Sequence, residues 1–222
     1  MPLTEAQARH LADSYPSNHN WTIRRGQPRA SRQLRRRAKR LRRLYPARLE
    51  SFLDLSSCKG WFVLDAARSG ATRVLGIDIH DEDLTASRAA LDVLGHSAVE
   101  LRRAHLHELV SSNPEPFDLA LLINTYQYLF YGSRREPHGY LDHERIFDHL
   151  AALIRPGGTL LFSNRVTYAR LPGNIKERAE ELGLSHAYHE EAIRAAAERH
   201  FAIEEHRKLS RIPLWRLVRR QA

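Results

Sequence analysis

Ser51-Phe52-Leu53-Asp54-Leu55-Ser56-Ser57-Cys58-Lys59-Gly60 decides the reading of this chain. A short apolar run ends in an acid and passes into a loop of small residues. Beyond a helical stretch, Val74-Leu75-Gly76-Ile77-Asp78-Ile79 repeats the apolar run and its terminal acid. Strand, small-residue loop, helix and a second strand ending in a carboxylate make a βαβ unit of the kind that takes a nucleotide at its loop.

The alternation continues outward from this unit. Strands are expected near Phe52–Leu55, Arg73–Asp78, Ala98–Arg102, Phe117–Ile123 and Thr159–Asn164, with helices near Trp61–Ser69, Asp81–Leu94 and Asp142–Ile154 between them. Gly70 and Gly95 stand where helix C-caps belong. The runs Leu119–Ile123 and Leu160–Phe162 suit strands buried on both faces, which implies a parallel sheet with helices on each side. After helices near Asn174–Leu182 and Glu190–His200, the segments Ala202–Leu209 and Leu214–Arg219 are joined only by Ser210-Arg211-Ile212-Pro213. So short a connection makes them antiparallel, because a parallel crossover needs a dozen or more residues.

The N-terminal fifty residues have a different character. Thr4-Glu5-Ala6-Gln7 is a capping box that opens a short helix to about Ser14. Tyr15 to Ser31, rich in Pro, Gly, Asn and Ser, reads as irregular. From Arg32 to Tyr45, Leu34, Ala38, Leu41 and Leu44 or Tyr45 keep helical spacing while Arg fills the other faces, and Pro46 closes the run. The division is therefore a basic helical extension, 1–50, and a nucleotide-binding-type domain, 51–222.

Composition limits the function classes. At 222 residues and 42% hydrophobic content, one sizeable α/β core is affordable. A single cysteine, Cys58, excludes an intramolecular disulfide framework and a Cys-rich zinc site. No signal pattern and no apolar run of membrane-spanning length is present, so a soluble cytoplasmic protein without membrane contact is expected. The net charge of +9 is concentrated: Arg24 to Arg48 holds eleven Arg, one Lys and no acid, while the rest of the chain has fewer basic residues than its 26 acids.

In this order and spacing the motifs resemble the class I S-adenosylmethionine-dependent methyltransferases, over about Phe52 to Arg220. The resemblance implies a mostly parallel seven-stranded Rossmann-like sheet with helices on both faces and a C-terminal antiparallel hairpin, and S-adenosyl-L-methionine as cofactor. That family's first strand ends in acid-x-Gly-x-Gly-x-Gly. Asp54 and Gly60 match here, while Ser56 and Cys58 replace the first two glycines with small side chains. A positive φ at either would cost about 1–2 kcal/mol. The resemblance assigns Asp78 to the cofactor's ribose hydroxyls, His105 to the adenine position and Asn124 to the end of the fourth strand beside the sulfonium. Arg155-Pro156-Gly157-Gly158 is similar to the turn before the family's fifth strand. A nicotinamide-dependent dehydrogenase fits poorly, because Gly-x-Gly-x-x-Gly is absent.

Methyl transfer from a sulfonium asks the protein mainly to position the acceptor and take its proton. Asn124-Thr125-Tyr126-Gln127 lacks the Pro-Pro of base amino-methylation, and Cys58 is misplaced as a nucleophile for cytosine carbon methylation. The acceptor side is expected in Thr125 to Tyr140. Tyr126, Tyr128 and His138 are the catalytic candidates, with His143 a further candidate base. His186 and His189 lack a third ligand, so no metal is expected. The basic window Arg24–Arg48 suits an RNA or anionic acceptor, although with Arg at 31 of 35 basic positions the bias is general and aromatic interleaving is thin. Two classes follow: a methyltransferase acting on a small molecule or RNA, and a degenerate fold serving as a non-catalytic RNA- or anion-binding module.

Overall fold

The computed structural model describes residues 2–133, 136–209 and 211–221. Helix α1, Glu5–Asp13, opens with the expected capping box, Thr4 and Gln7 exchanging side-chain and backbone hydrogen bonds. Segment 15–31 departs from expectation. It contains strands β1, Trp21–Arg24, and β2, Gln27–Ala30, paired antiparallel. Arg25 and Gly26 both take positive φ, 52° and 67°, the conformation that lets a two-residue turn follow the strand twist. Helix α2, Arg32–Arg42, follows with Ser31 as N-cap and with Leu34, Arg37, Ala38 and Leu41 buried.

The core alternation runs β3, Ser51–Asp54; α3, Trp61–Arg68; β4, Arg73–Asp78; α4, Asp81–Val93; and β5, Glu100–Arg103. A short helix α5, Leu106–Ser111, precedes β6, Phe117–Ile123, whose seven residues are all buried. Then come α6, Tyr126–Tyr131; α7, His143–Ala152; β7, Ile154–Ser163; α8, Gly173–Glu181; α9, Glu190–Glu198; β8, Phe201–Leu209; and β9, Ile212–Arg219. Ser210, in the expected hairpin connection, lies outside the described residues.

The strand order of the seven-stranded sheet is β5-β4-β3-β6-β7-β9-β8. β3 pairs parallel to β4 and β4 to β5, whereas β9 pairs antiparallel to both β7 and β8. This is the expected arrangement: a mostly parallel sheet into which the last strand inserts reversed. The chain forms two compact units. One extends to Ser111 and takes in Phe117–Ala120, so the N-terminal fifty residues cluster with the first core strands; the other holds Ser112–Pro116 and continues from Leu121.

In the first unit, sequence pattern and polar pairing agree. Phe52, Leu53, Val63 and Leu64 are essentially solvent-free, and burying each such side chain is worth about 1.5–3 kcal/mol. The start of β3 is pinned to β6 by Asp118, whose carboxylate accepts from the amides of Glu50 and Ser51, while Ser51 Oγ accepts from Asp118 N at 2.9 Å. In the second unit, the ring of Trp215 on β9 stacks on Phe162 of β7 at 5.2 Å between centroids.

Candidate functional site

Asp54, Asp78 and His105 come together at the carboxyl ends of three adjacent parallel strands. Asp54 closes β3 and Asp78 closes β4. Asp78 pairs with Arg103, the last residue of β5, and its carbonyl accepts from Ala104 N, so His105 follows at the same edge. Ligands of open α/β sheets bind outside this edge.

The loop between β3 and α3 wraps around the Asp78 carboxylate. One oxygen accepts from Cys58 N at 2.8 Å, and the other from Ile79 N and His80 N at 2.7 and 3.1 Å. Asp78 is only partly covered, and burial raises its pKa while the amides of Cys58 and His80 pull it back. Ser56 N donates to Asp54 Oδ1, Ser57 N to the Ile77 carbonyl, and Gly60 N to the Ser57 carbonyl.

Of the two glycine replacements, only Cys58 occupies the left-handed region, at φ 47°. Its strain is offset by the charge-assisted bond from its own N–H to Asp78. Gly60, at φ 71°, has no such freedom: a Cβ there would sit 3.0 Å from Ser87 Cβ. The Cys58 thiol points at Asp83 and is held protonated, pushed up by burial and then by Asp83 and Asp78.

Four buried polar atoms around this loop lack hydrogen-bond partners: Asp54 Oδ2, Ser57 Oγ, Arg37 Nη2 and Trp61 Nε1. Burial raises the Asp54 carboxyl to about 7; the Ser56 amide pulls it down, Asp78 pushes it up and Arg37 pulls it down. Arg37, in turn, is lowered by burial and raised by Asp54 and Cys58. Sequence reasoning missed Arg37 among so many surface arginines. The signal was available, because Leu34, Arg37, Ala38 and Leu41 share the i, i+3, i+4, i+7 face of α2.

Lys59 is the second missed residue. Its ammonium is buried and donates to the carbonyls of Ser14, at 2.6 Å, and Pro16, at 3.4 Å, and to Asn20 Oδ1. Trp21 Nε1 donates to the Lys59 carbonyl at 2.7 Å, and Arg37 donates to the Asn18 carbonyl at 3.2 Å. His10 on α1 pairs with Asp83 at 2.7 Å. The segment after α1 is thus clasped onto the loop by the loop's own lysine.

The remaining candidates belong to the second unit. Asn124 follows β6 at φ 58°, its amide donating to Ser163 O and its side-chain oxygen accepting from Arg165. Asn164 fixes the next turn by accepting from Thr125 N and Tyr126 N. Tyr126 is fully buried, its hydroxyl 2.7 Å from His143 Nδ1. Because His143 Nε2 donates to the Ala187 carbonyl at 3.1 Å, Nδ1 is the acceptor and Tyr126 the donor.

Burial lowers His143 to about 4. With both ring nitrogens engaged it holds aromatic packing together and has no free site for a proton from a ligand. Tyr128 and His138 are solvent-accessible, His138 lying 3.7 Å from Glu136. Gln127 is buried with Oε1 lacking a donor. Residues 134 and 135, inside the expected acceptor segment, lie outside the described residues.

A family description, "Methyltransferase domain", matches residues 47–212. The chain belongs to this methyltransferase-domain family. Among curated proteins it is similar to the O-antigen chain terminator bifunctional methyltransferase/kinase WbdD of Escherichia coli, 30% identical over 100 residues that make up 45% of this chain and 13% of that protein. The chain therefore spans a small part of that relative's length. The solved structure of monomeric WbdD has a TM-score of 0.64 at 20% identity, covering 85% of this chain and 42% of that one. The PH0226 protein of Pyrococcus horikoshii OT3 covers 96% of both chains with a TM-score of 0.62 at 15% identity. The N-methyltransferase NodS of Bradyrhizobium japonicum WM9 has a TM-score of 0.59 at 18% identity, covering 85% of this chain and 97% of NodS.

The methyltransferase domain so defined includes the Asp54–Gly60 loop, Asp78, His105 and Asn124. Arg37 and the clasped segment precede the matched residues. Among the described residues no helix is long and apolar enough to cross a membrane.

Proposed function

We propose that the protein is an S-adenosylmethionine-dependent methyltransferase whose cofactor is held by the Asp54–Gly60 loop and Asp78. The observation that carries this reading is the orphaned pair beside the loop, a carboxyl oxygen at Asp54 Oδ2 and a guanidinium donor at Arg37 Nη2, both buried. An α-amino acid group carries an ammonium and a carboxylate, which complement this pair. A buried polar atom without a partner costs about 1–3 kcal/mol, more when charged, so supplying both partners is favourable.

Asp78, accessible and held rigid by three backbone amides, is suited to accept from two vicinal hydroxyls. His105 stands at the next strand end, where an adenine ring is expected. When bound, the cofactor supplies a methyl group already activated on sulfur. The chain's work is then to orient the acceptor and accept its proton, with Tyr128 and His138 the reachable candidates in Thr125–Tyr140 and Gln127 Oε1 a spare acceptor in the same segment. The acceptor is a small molecule or an RNA.

Calorimetry with S-adenosylmethionine tests the reading. The wild type should bind, and Asp78→Ala should weaken binding about 10–100-fold through loss of about 1.5–3 kcal/mol. Absence of binding by the folded wild type, with and without RNA, would overturn it in favour of a non-catalytic binding module.

A further inference from the structure

A cavity of about 880 Å³ opens between the β1–β2 hairpin, one face of α2 and one face of α3. The α3 face is built from Trp61, Leu64, Asp65 and Arg68, at helical spacing i, i+3, i+4 and i+7. Arg24, Arg25 and Arg29 of the hairpin, Arg35 of α2 and Arg68 of α3 line the same space. The sole carboxylate in the lining, Asp65, is already taken by a forked pair with Arg42. None of the five other guanidinium groups makes a hydrogen bond or ion pair with a described residue.

We propose that this cavity is a binding site for a small ligand bearing two or more phosphate groups, distinct from the cofactor loop. Like charges gathered around a concave wall give it a strongly positive potential, which draws in a counter-charge of comparable size. Five guanidinium groups exceed what one phosphate dianion neutralises. Their planar forks match phosphate oxygens in pairs.

Trp61 gives an independent indication. It lines the cavity, is nine-tenths buried, and its indole N–H has no acceptor. An indole nitrogen only donates, so the missing partner is an acceptor such as a phosphate oxygen. Neither Asp54 nor Asp78 lines this space, and the inference does not depend on the proposed cofactor.

The shape favours a small molecule over RNA. The volume is that of a small-molecule site, and the arginines converge from three elements. Trp21 and Trp61 are both buried, so neither offers a face on which bases could stack. Arg36 on α2 and Arg43 just after it are exposed but lie outside the lining, which makes Arg36 an internal control.

The test titrates the full chain with inorganic tripolyphosphate at low salt, read by calorimetry and indole fluorescence, with circular dichroism confirming the fold of each variant. One equivalent should bind. Arg29→Gln and Arg35→Gln should each weaken it at least about tenfold, Arg36→Gln by less than about twofold, and Trp61→Phe by about threefold or more. No saturable binding by the wild type would overturn the proposal. So would an equal loss from Arg36→Gln and Arg35→Gln, or tighter binding of a single-stranded RNA of about twenty nucleotides that depends equally on both positions. Because S-adenosylmethionine is absent from this experiment, its outcome stands apart from that of the cofactor titration.

Discussion

Asp54 shows how one buried carboxyl ties the stability of the fold to its readiness for a ligand. Its folded pKa, raised to about 7 chiefly by burial, exceeds the ordinary value of 3.8. Between these two values the folded state holds a proton that the unfolded chain has released, so this group's contribution to stability falls as pH rises through about 4 to 7. His19 and His143 act in the opposite sense. Burial lowers them to about 3 and 4, so the unfolded chain binds the extra proton and stability is lost as pH falls below about 6.5. The opposing terms flatten the wild-type profile and hide each other. Asp54→Asn removes the first and keeps the other two. The difference in unfolding free energy, variant minus wild type, should therefore grow by about 2–3 kcal/mol between pH 5 and pH 8. Urea denaturation at the two pH values measures it, and parallel profiles would mean that Asp54 titrates normally.

At the scale of elements, α6 and α7 are joined through a hydrogen bond that a catalytic reading of the same residues would overlook. Tyr126 donates to His143, and His143 donates to the Ala187 carbonyl, among the rings of Phe130 and Tyr188. Tyr126→Phe keeps the ring but leaves His143 Nδ1 buried without a donor, so it should cost about 1–3 kcal/mol. A urea midpoint that falls with unchanged slope would show this, and an unmoved midpoint would discount the pair. The regular elements were legible because their periods are long: β6 as an unbroken apolar run, α4 and α7 as amphipathic helices. The β1–β2 hairpin was not, since each strand has four residues, Pro28 argues against a strand, and Arg25-Gly26 lacks the usual Asn or Asp. Helix α5, at six residues, is shorter than the window over which helical periodicity declares itself.

At the scale of the whole molecule, the candidate site was half legible. Asp54, Gly60 and Asp78 announce themselves because strand ends and turn glycines leave marks in the sequence. Arg37 and Lys59 do not, since a buried cation looks like a surface one until its partners are known. Both depend on the N-terminal fifty residues, most of which lie outside the family match that begins at residue 47. Those fifty residues bury Leu11, Trp21, Leu34, Ala38, Leu41 and Leu49, together worth on the order of 10 kcal/mol, comparable to the entire stability of an ordinary domain. Their removal would also strip the Lys59 ammonium of its acceptors at Ser14, Pro16 and Asn20, leaving a charge that must then be hydrated or neutralised. A fragment of residues 51–222 carries nearly all of the family match and should nonetheless lack a cooperative unfolding transition and show weakened near-ultraviolet circular dichroism. If instead it unfolds cooperatively with the native aromatic signal, the first fifty residues are an appendage and the methyltransferase domain stands without its clasp.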